Sequence, residues 1–309
     1  MKSDVEPAEL NVVTGAFGYT GKYITRRLLA AGQRVKTITG HPDRPNPFGS
    51  ELSIVPFSFD QPEGLALALQ GVTTLYNTYW VRFPHGSVSF DVAIQNTRTL
   101  IKAAELAGVR RMVNVSITNA SVESPLPYFK GKGLVEEAIR ESRLSYAILR
   151  PTVIFGAEDI LINNIAWLLR RFPVFAILGA GDYRLQPIYV EDLADMAVRA
   201  GQMAENLVID AVGPEVFTFE ELVRLLAAKV GSRSRIVHLA PQMALILSRF
   251  IGYFVRDVVL TRDEMEGLMA NLLISQGPPT GTTRLTDWLD ANAALLGTRY
   301  ASELDRHYR

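Results

Sequence analysis

The stretch "LNVVTGAFGYTGKYI", residues 10–24, decides the fold. Leu10, Val12 and Val13 form a short apolar run suited to a buried strand, and Gly15, Gly18 and Gly21 follow at intervals of three. Gly15 can make a tight turn, Gly18 lets the backbone approach a pyrophosphate, and Gly21 permits close packing of helix on strand. The helix opening behind them would aim its free amide groups at phosphate oxygens. Strand before, helix after and position near the start of the chain all agree with a dinucleotide-binding turn, with Thr14, Gly15, Ala16, Phe17, Gly18, Tyr19, Thr20 and Gly21 as its contacts. A P-loop reading fails, because Ala16 and Tyr23 stand where that motif needs glycine and serine or threonine.

Working outward, the next apolar runs are "RVKTITG", "LSIVPFSF", "TTLYNTY", "RMVNVSI" and "SYAILRP". Between them lie "TGKYITRRLLAAG", "EGLALALQG" and "VAIQNTRTLIKAAELAGV", each with helical spacing and each closing at or next to glycine. Regular alternation of strand and helix implies an α/β fold: a doubly wound parallel sheet covered on both faces, with ligands at the carboxyl ends of its strands. After "LRPTVIFG" the rhythm breaks into helix, Gly-rich turn, extended piece and helix, and then a strand and a helix whose N-cap is Thr218, with Glu221 three residues on. The expected division is a nucleotide-binding domain over 10–155 and 186–212, and a smaller, mainly helical substrate or lid domain over 156–185 and 213–309.

Composition narrows the function classes. Of 309 residues, 48% are hydrophobic, enough for a substantial core, and 32 basic residues balance 32 acidic ones. No global field draws such a chain to nucleic acid, so small molecules or other proteins are the expected partners. The absence of cysteine excludes disulfides and thiolate catalysis and fits a cytoplasmic location. Residues 1–10, "MKSDVEPAEL", read as a disordered leader without an export signal. The most membrane-like segment, "LAPQMALILSRFIGYFVRDVVL" at 239–260, is interrupted by Arg249 and Arg256 and is too short of uncharged residues to span a bilayer. It reads as a helix lying against the small domain, or as a contact for a membrane surface or a partner subunit. His41, His85, His238 and His307 show no metal-ligand spacing, and no nucleophile elbow for a serine hydrolase occurs. Asp192 and Asp195 read as first-turn acids favoured by a helix dipole.

The end of the second strand bears on cofactor choice. An acid there would bind the ribose hydroxyls of NAD, but the chain has Gly40 and His41, within "TGHPDR". A 2′-phosphate would meet no repulsion and could pair with Arg44 or His41, so NADP(H) is favoured over NAD(H).

One helix carries the chemistry. In "PYFKGKGLVEEAIRES", residues 127–142, Tyr128 and Lys132 are one helical turn apart. A tyrosine titrates near ~10 in water and is a poor base unless a cation favours its phenolate, which Lys132 on the same face can do. Gly131 and Gly133 flank the lysine, each costing about 1 kcal/mol of helix propensity. The loop "TYWVRFPHG" can line the nicotinamide end with Tyr79, Trp80 and Arg82, or pack as a hydrophobic cluster.

Together "TGAFGYTG", "YFKGK" and "LRPTVIFG" resemble the short-chain dehydrogenase/reductase superfamily in its extended or atypical branch. Within it the chain is similar to the sugar-nucleotide epimerase-like proteins, among them the NADPH-carrying accessory subunit of respiratory complex I and NmrA-type regulators. The resemblance covers about residues 10–210. It implies Tyr128 as acid/base, Lys132 as its activator and ribose ligand, and Ser116 as the donor that orients a substrate oxygen. It also implies cofactor contacts from Asp60, Asn77 and Pro151, beside Arg150 of the family's "RP" pair. Two functions follow as expectations: an NADP(H)-dependent oxidoreductase or epimerase-like enzyme acting on a carbonyl or hydroxyl group, or a non-catalytic NADP(H)-binding scaffold or redox sensor with a protein partner. A homodimer is also compatible.

Overall fold

The computed structural model describes residues 9–56 and 59–307. Residues 1–8 of the expected leader and 57–58 of the expected third strand lie outside the described residues; Leu10, the leader's last expected residue, opens β1. In chain order the elements are β1 (Leu10–Thr14), α1 (Tyr19–Ala30), β2 (Arg34–Thr39), β3 (Leu52–Pro56), α2 (Pro62–Ala68), β4 (Thr74–Asn77), α3 (Phe90–Leu106), β5 (Arg111–Val115), α4 (Pro127–Glu141) and β6 (Ser145–Pro151). Then come β7 (Ile154–Phe155), α5 (Leu161–Arg171), β8 (Val174–Leu178), β9 (Arg184–Leu185), β10 (Ile188–Tyr189), α6 (Val190–Gln202) and β11 (Leu207–Ala211). The last third holds β12 (Phe217–Thr218), α7 (Phe219–Lys229), β13 (Arg235–Leu239), α8 (Pro241–Val255), α9 (Arg262–Met269), α10 (Leu285–Asn292) and α11 (Glu303–His307).

The chain divides into two compact units, one of residues 1–150 and 194–209, the other of 151–193 and 210–309. The first is built on a sheet of strand order β11-β6-β5-β4-β1-β2-β3. Pairs β1–β2, β2–β3, β1–β4, β4–β5 and β5–β6 all run parallel. Connections that climb outward from β1 in both directions make this a doubly wound sheet, with its switch point between β1 and β4. Apolar strand residues Val12, Ile38, Leu75, Met112 and Ile148 pack against Leu100, Ala104, Val135 and Ile139 of α3 and α4. Each such fully buried aliphatic side chain stabilises the fold by roughly 1.5–3 kcal/mol. Arg111, 1% exposed, fixes the end of α6: its Nε donates to Ala200 O at 2.7 Å and its Nη2 to Glu205 O at 2.8 Å. A cation placed on the last carbonyls of a helix offsets the helix dipole as well as the unpaired backbone acceptors.

Local signals set several helix ends. Ser89 caps α3 by accepting from Val92 N, and Gly108 at φ +72° closes it. In the second unit Thr218 and Glu221 form the full capping box of α7, with bonds of 3.2 and 2.8 Å. The core of this unit gathers Phe155, Ile165, Leu169, Ile177, Leu222, Leu226 and Leu289. It also holds three two-stranded sheets, β7–β10, β8–β13 and β9–β12, more extended chain than the one piece and one strand expected of a mainly helical domain. Asp192 does more than favour a helix dipole: it accepts from Thr282 N and Thr283 N at 2.7 and 2.8 Å and from Thr283 Oγ1, pinning an irregular segment. Asp195 pairs with Arg27 at 3.1 Å. No helix among the described residues is long and apolar enough to cross a membrane.

Candidate functional site

The glycine turn sits at the switch point. Gly15 takes φ +67°, and Gly18 N donates back to Gly15 O at 2.8 Å. A Cβ on Gly21 would lie 2.3 Å from Gly15 O, so only glycine allows α1 to start this close to β1. Ala16 is fully buried and its N–H donates to Thr37 Oγ1 of β2 at 3.3 Å, while Phe17, Tyr19 and Thr20 are half-buried. Gly18 precedes α1 without a side-chain cap, which leaves room at this helix N-terminus for an anionic group.

A polar network ties the carboxyl ends of β1, β4 and β5 together. Thr14 Oγ1 donates to Asn77 Oδ1 at 3.0 Å and accepts from Thr78 N at 2.8 Å. Asn77 Nδ2 donates to Asn114 Oδ1 at 2.8 Å, the two asparagines being register partners. Asn77 is 1% exposed, and its side-chain amide is engaged within this network. His41 and Asp60 lie on exposed chain after β2 and β3, and Arg44, half-buried, follows His41. Burial, with Arg44 alongside, holds the His41 imidazole below its ordinary value. Pro151 ends β6 and is buried.

The Tyr128–Lys132 turn of α4 meets the loop after β4. Lys132 is 4% exposed; its Nζ donates to Val115 O at 2.9 Å and lies 4.6 Å from the centroid of the Trp80 ring. Burial pushes this ammonium down to about 7, against the opposing pull of Glu136. Tyr128 packs edge-on to the same Trp80 ring at 6.0 Å and to Phe90 at 5.9 Å. The aromatic loop therefore lies against both members of the pair, and Trp80 is the residue they share. The two flanking glycines have structural causes. A Cβ on Gly131 would meet Trp80 at 3.0 Å, and one on Gly133 would meet the Ser121 carbonyl carbon at 2.4 Å.

Ser116 is placed differently from the expected substrate donor. It is 3% exposed, and its hydroxyl donates to Glu136 Oε1 at 2.6 Å. Glu136, 1% exposed, also accepts from Arg150 Nε at 2.9 Å and from Arg140 at 3.1 Å. The single hydroxyl proton of Ser116 is engaged by a buried carboxylate, so in this geometry it is not offered to a ligand. Sequence reasoning passed over Glu136, although its place one turn beyond Lys132 on the same helix face was a usable signal.

Three buried nitrogen atoms at or near the carboxyl ends of β2, β4 and β5 have no hydrogen-bond partner among the described residues: Arg44 Nη2, Trp80 Nε1 and Asn114 Nδ2. Buried donors are satisfied in the great majority of cases, so three orphans point to a polar ligand. The glycine cradle and these donors fit a dinucleotide with phosphate groups.

Residues 15–159 match the family model described as NAD(P)H-binding. The chain carries an NAD(P)H-binding domain. It is 25% identical over 282 residues to the NADH dehydrogenase [ubiquinone] 1 alpha subcomplex subunit 9 of Arabidopsis thaliana, covering 85% of this chain and 70% of the relative. It is 24% identical over 249 residues to the photosystem II assembly factor Ycf39 of Guillardia theta, covering 79% and 77%. Among solved structures, the NADPH-dependent quinone oxidoreductase QOR2 of Escherichia coli, complexed with NADPH, superposes with a TM-score of 0.72 at 22% identity, over 91% of this chain and 99% of that one. Other solved chains of this fold hold NAD. The NAD(P)H-binding domain thus has an oxidoreductase- and epimerase-like fold.

Proposed function

We propose that the protein is an NADP(H)-dependent reductase of a small carbonyl or quinone-like compound, with Tyr128 as proton donor and Lys132 as the group that tunes it. The observation that carries this reading is the buried Lys132 ammonium at the end of β5, adjoining the same aromatic ring as Tyr128. Thr14–Gly21 would hold the pyrophosphate, and Arg44, whose Nη2 has no hydrogen-bond partner among the described residues, would take the 2′-phosphate with His41 beside it. Lys132 would reach the nicotinamide ribose. Asp60 and Pro151 would border the adenine and nicotinamide ends.

When bound, the dinucleotide supplies a hydride to the substrate carbon. The C=O π pair moves onto oxygen, and Tyr128 Oη gives that oxygen its proton. Charged Lys132 then favours the resulting phenolate, which regains a proton from solvent. Ser116 is left out of the donor set because Glu136 holds its hydroxyl. The test is single-turnover oxidation of bound NADPH by aldehydes, ketones and quinones. Tyr128→Phe should slow it by about 10²–10⁴-fold with unchanged NADPH affinity; an undiminished rate removes Tyr128 from the mechanism.

A second reading is a cofactor-bound scaffold with a protein partner. It is favoured by the engaged Ser116 hydroxyl and by the names of two relatives, a respiratory-complex subunit and an assembly factor. Tight NADPH binding with no oxidation by any of these acceptors would select it.

A further inference from the structure

Glu136 lies one turn beyond Lys132 on α4, and the reduction proposed for Tyr128 gives it no step. Its side chain is buried, and both carboxylate oxygens are engaged. Oε1 accepts from Ser116 Oγ at 2.6 Å and from Arg150 Nε at 2.9 Å; Oε2 accepts from Arg140 Nη2 at 3.1 Å and from Arg150 Nη2. The two bonds from Arg150 form a bidentate fork, which fixes the plane of the carboxylate against β6. Ser116 carries this order to the lysine. Its N–H donates to Leu149 O of β6 at 2.7 Å, and the carbonyl just before it, Val115 O, accepts from Lys132 Nζ at 2.9 Å. A closed circuit thus runs from Lys132 through Val115, Ser116 and Glu136 back along α4, with β6 bracing it.

The same carboxylate acts on the lysine through space. Residues four apart on a helix have Cβ atoms about 5–6 Å from each other, and an opposite charge at about that range favours the charged form of an ionisable group by about 1–3 pH units. Both groups are buried, so water and salt screen them little. The ionisable groups that the surrounding elements carry are Tyr128 and Glu136 on α4, Glu123 before it, Arg150 on β6, and Tyr79 and Arg82 on the loop that holds Trp80; Arg140 reaches Glu136 as well. Among them the carboxylate of Glu136 is the charge that opposes the effect of burial on the ammonium. An amide in its place would leave Arg140 and Arg150 near a lysine without their counter-charge.

We propose that Glu136 is a positioning residue for this reduction: it braces the carbonyl that anchors Lys132 and supplies, one turn on, the negative charge that balances that lysine. The role in the rate rests on the reading of Tyr128 and Lys132 as the reacting pair. Two measurements on the full chain separate them. The side-chain 13C resonance of Lys132, assigned by its loss in Lys132→Met, reads the charge without nucleotide or substrate, and single-turnover oxidation of NADPH from pH 6 to 9 reads its effect. Glu136→Gln should move the Lys132 midpoint down by about one pH unit or more, and the fall of rate with rising pH should move with it, costing about tenfold at pH 8 and only about twofold at pH 6. Glu136→Asp keeps the charge and should hold the midpoint within about half a unit. Arg150→Gln removes a cation and should move it up, which keeps the test open if Glu136→Gln does not fold by far-UV circular dichroism. A folded Glu136→Gln with an unchanged or raised midpoint, an Arg150→Gln with a lowered one, or a rate loss equal at every pH overturns the proposal. Midpoints that move as stated in a protein that oxidises no NADPH support the tie between Glu136 and Lys132 and overturn the reduction instead.

Discussion

Lys132 Nζ lies 4.6 Å from the centre of the Trp80 ring, so the cation expected to serve the cofactor is sheathed by an aromatic residue of a loop 52 positions earlier. A buried ammonium facing a ring and one carbonyl keeps only part of its hydration energy, which is why it is pushed down to about 7. In the unfolded chain a lysine holds its proton up to ~10.4. Between these values the unfolded state binds the proton that the folded state has released, so this group makes stability rise with pH from about 7 upward. Urea midpoints of wild type and Lys132→Met at pH 7, 8 and 9 should diverge, the wild type gaining up to about 1.4 kcal/mol per pH unit relative to the variant. Parallel curves would place the lysine in water.

Gly133 gives a prediction opposite in sign to helix propensity. Gly133→Ala in an exposed helix would stabilise by about 1 kcal/mol. Here the added Cβ meets the Ser121–Val122 backbone at 2.4 and 2.6 Å, so the substitution should destabilise by about 1–3 kcal/mol in chemical denaturation.

Glu136 is the hub of the buried polar cluster. Glu136→Ala leaves Arg150 without its carboxylate and should cost about 3–5 kcal/mol. Ser116→Ala keeps the Arg150–Glu136 pair and should cost about 1 kcal/mol. If the protein turns over, Ser116→Ala should keep the rate within about tenfold, whereas loss of an oxyanion donor costs about 10²–10³-fold.

Asp159 supplies the reverse pH dependence in the second unit. Its Oδ1 accepts from Ile162 N at 2.6 Å, its Oδ2 has no hydrogen-bond partner among the described residues, and burial pushes the carboxyl up to about 7. Between ~3.9, where an unperturbed aspartate titrates, and about 7 the folded state keeps a proton that the unfolded state has lost. Its contribution is therefore full at acid pH and lost as pH rises through about 7. Asp159→Asn keeps the acceptor for Ile162 N and should be more stable than wild type above neutrality by at least about 1 kcal/mol, with no advantage near pH 4.

What could be read from the sequence was local. The glycine spacing at 15, 18 and 21, the strand–helix alternation through Pro151 and the Thr218–Glu221 capping box are all set within a few residues, and each is present. What escaped depends on distant partners. The parallel β8–β13 pair joins residues some 60 apart, and Asp192 finds Thr282 and Thr283 about 90 residues later. Ser116 was expected as a substrate donor on the family resemblance alone. Its partner Glu136 comes from the next helix, 20 residues on, where only the spacing from Lys132 gave a signal.

Titration of the full chain and of Arg44→Ala with NADPH and NADH, followed by nicotinamide fluorescence, tests the central claim most directly. The account predicts saturable NADPH binding, at least about tenfold tighter than NADH, with that preference abolished in Arg44→Ala while NADH affinity stays the same. Equal affinity for the two nucleotides in the wild type, or no binding of either at millimolar concentration, would contradict it.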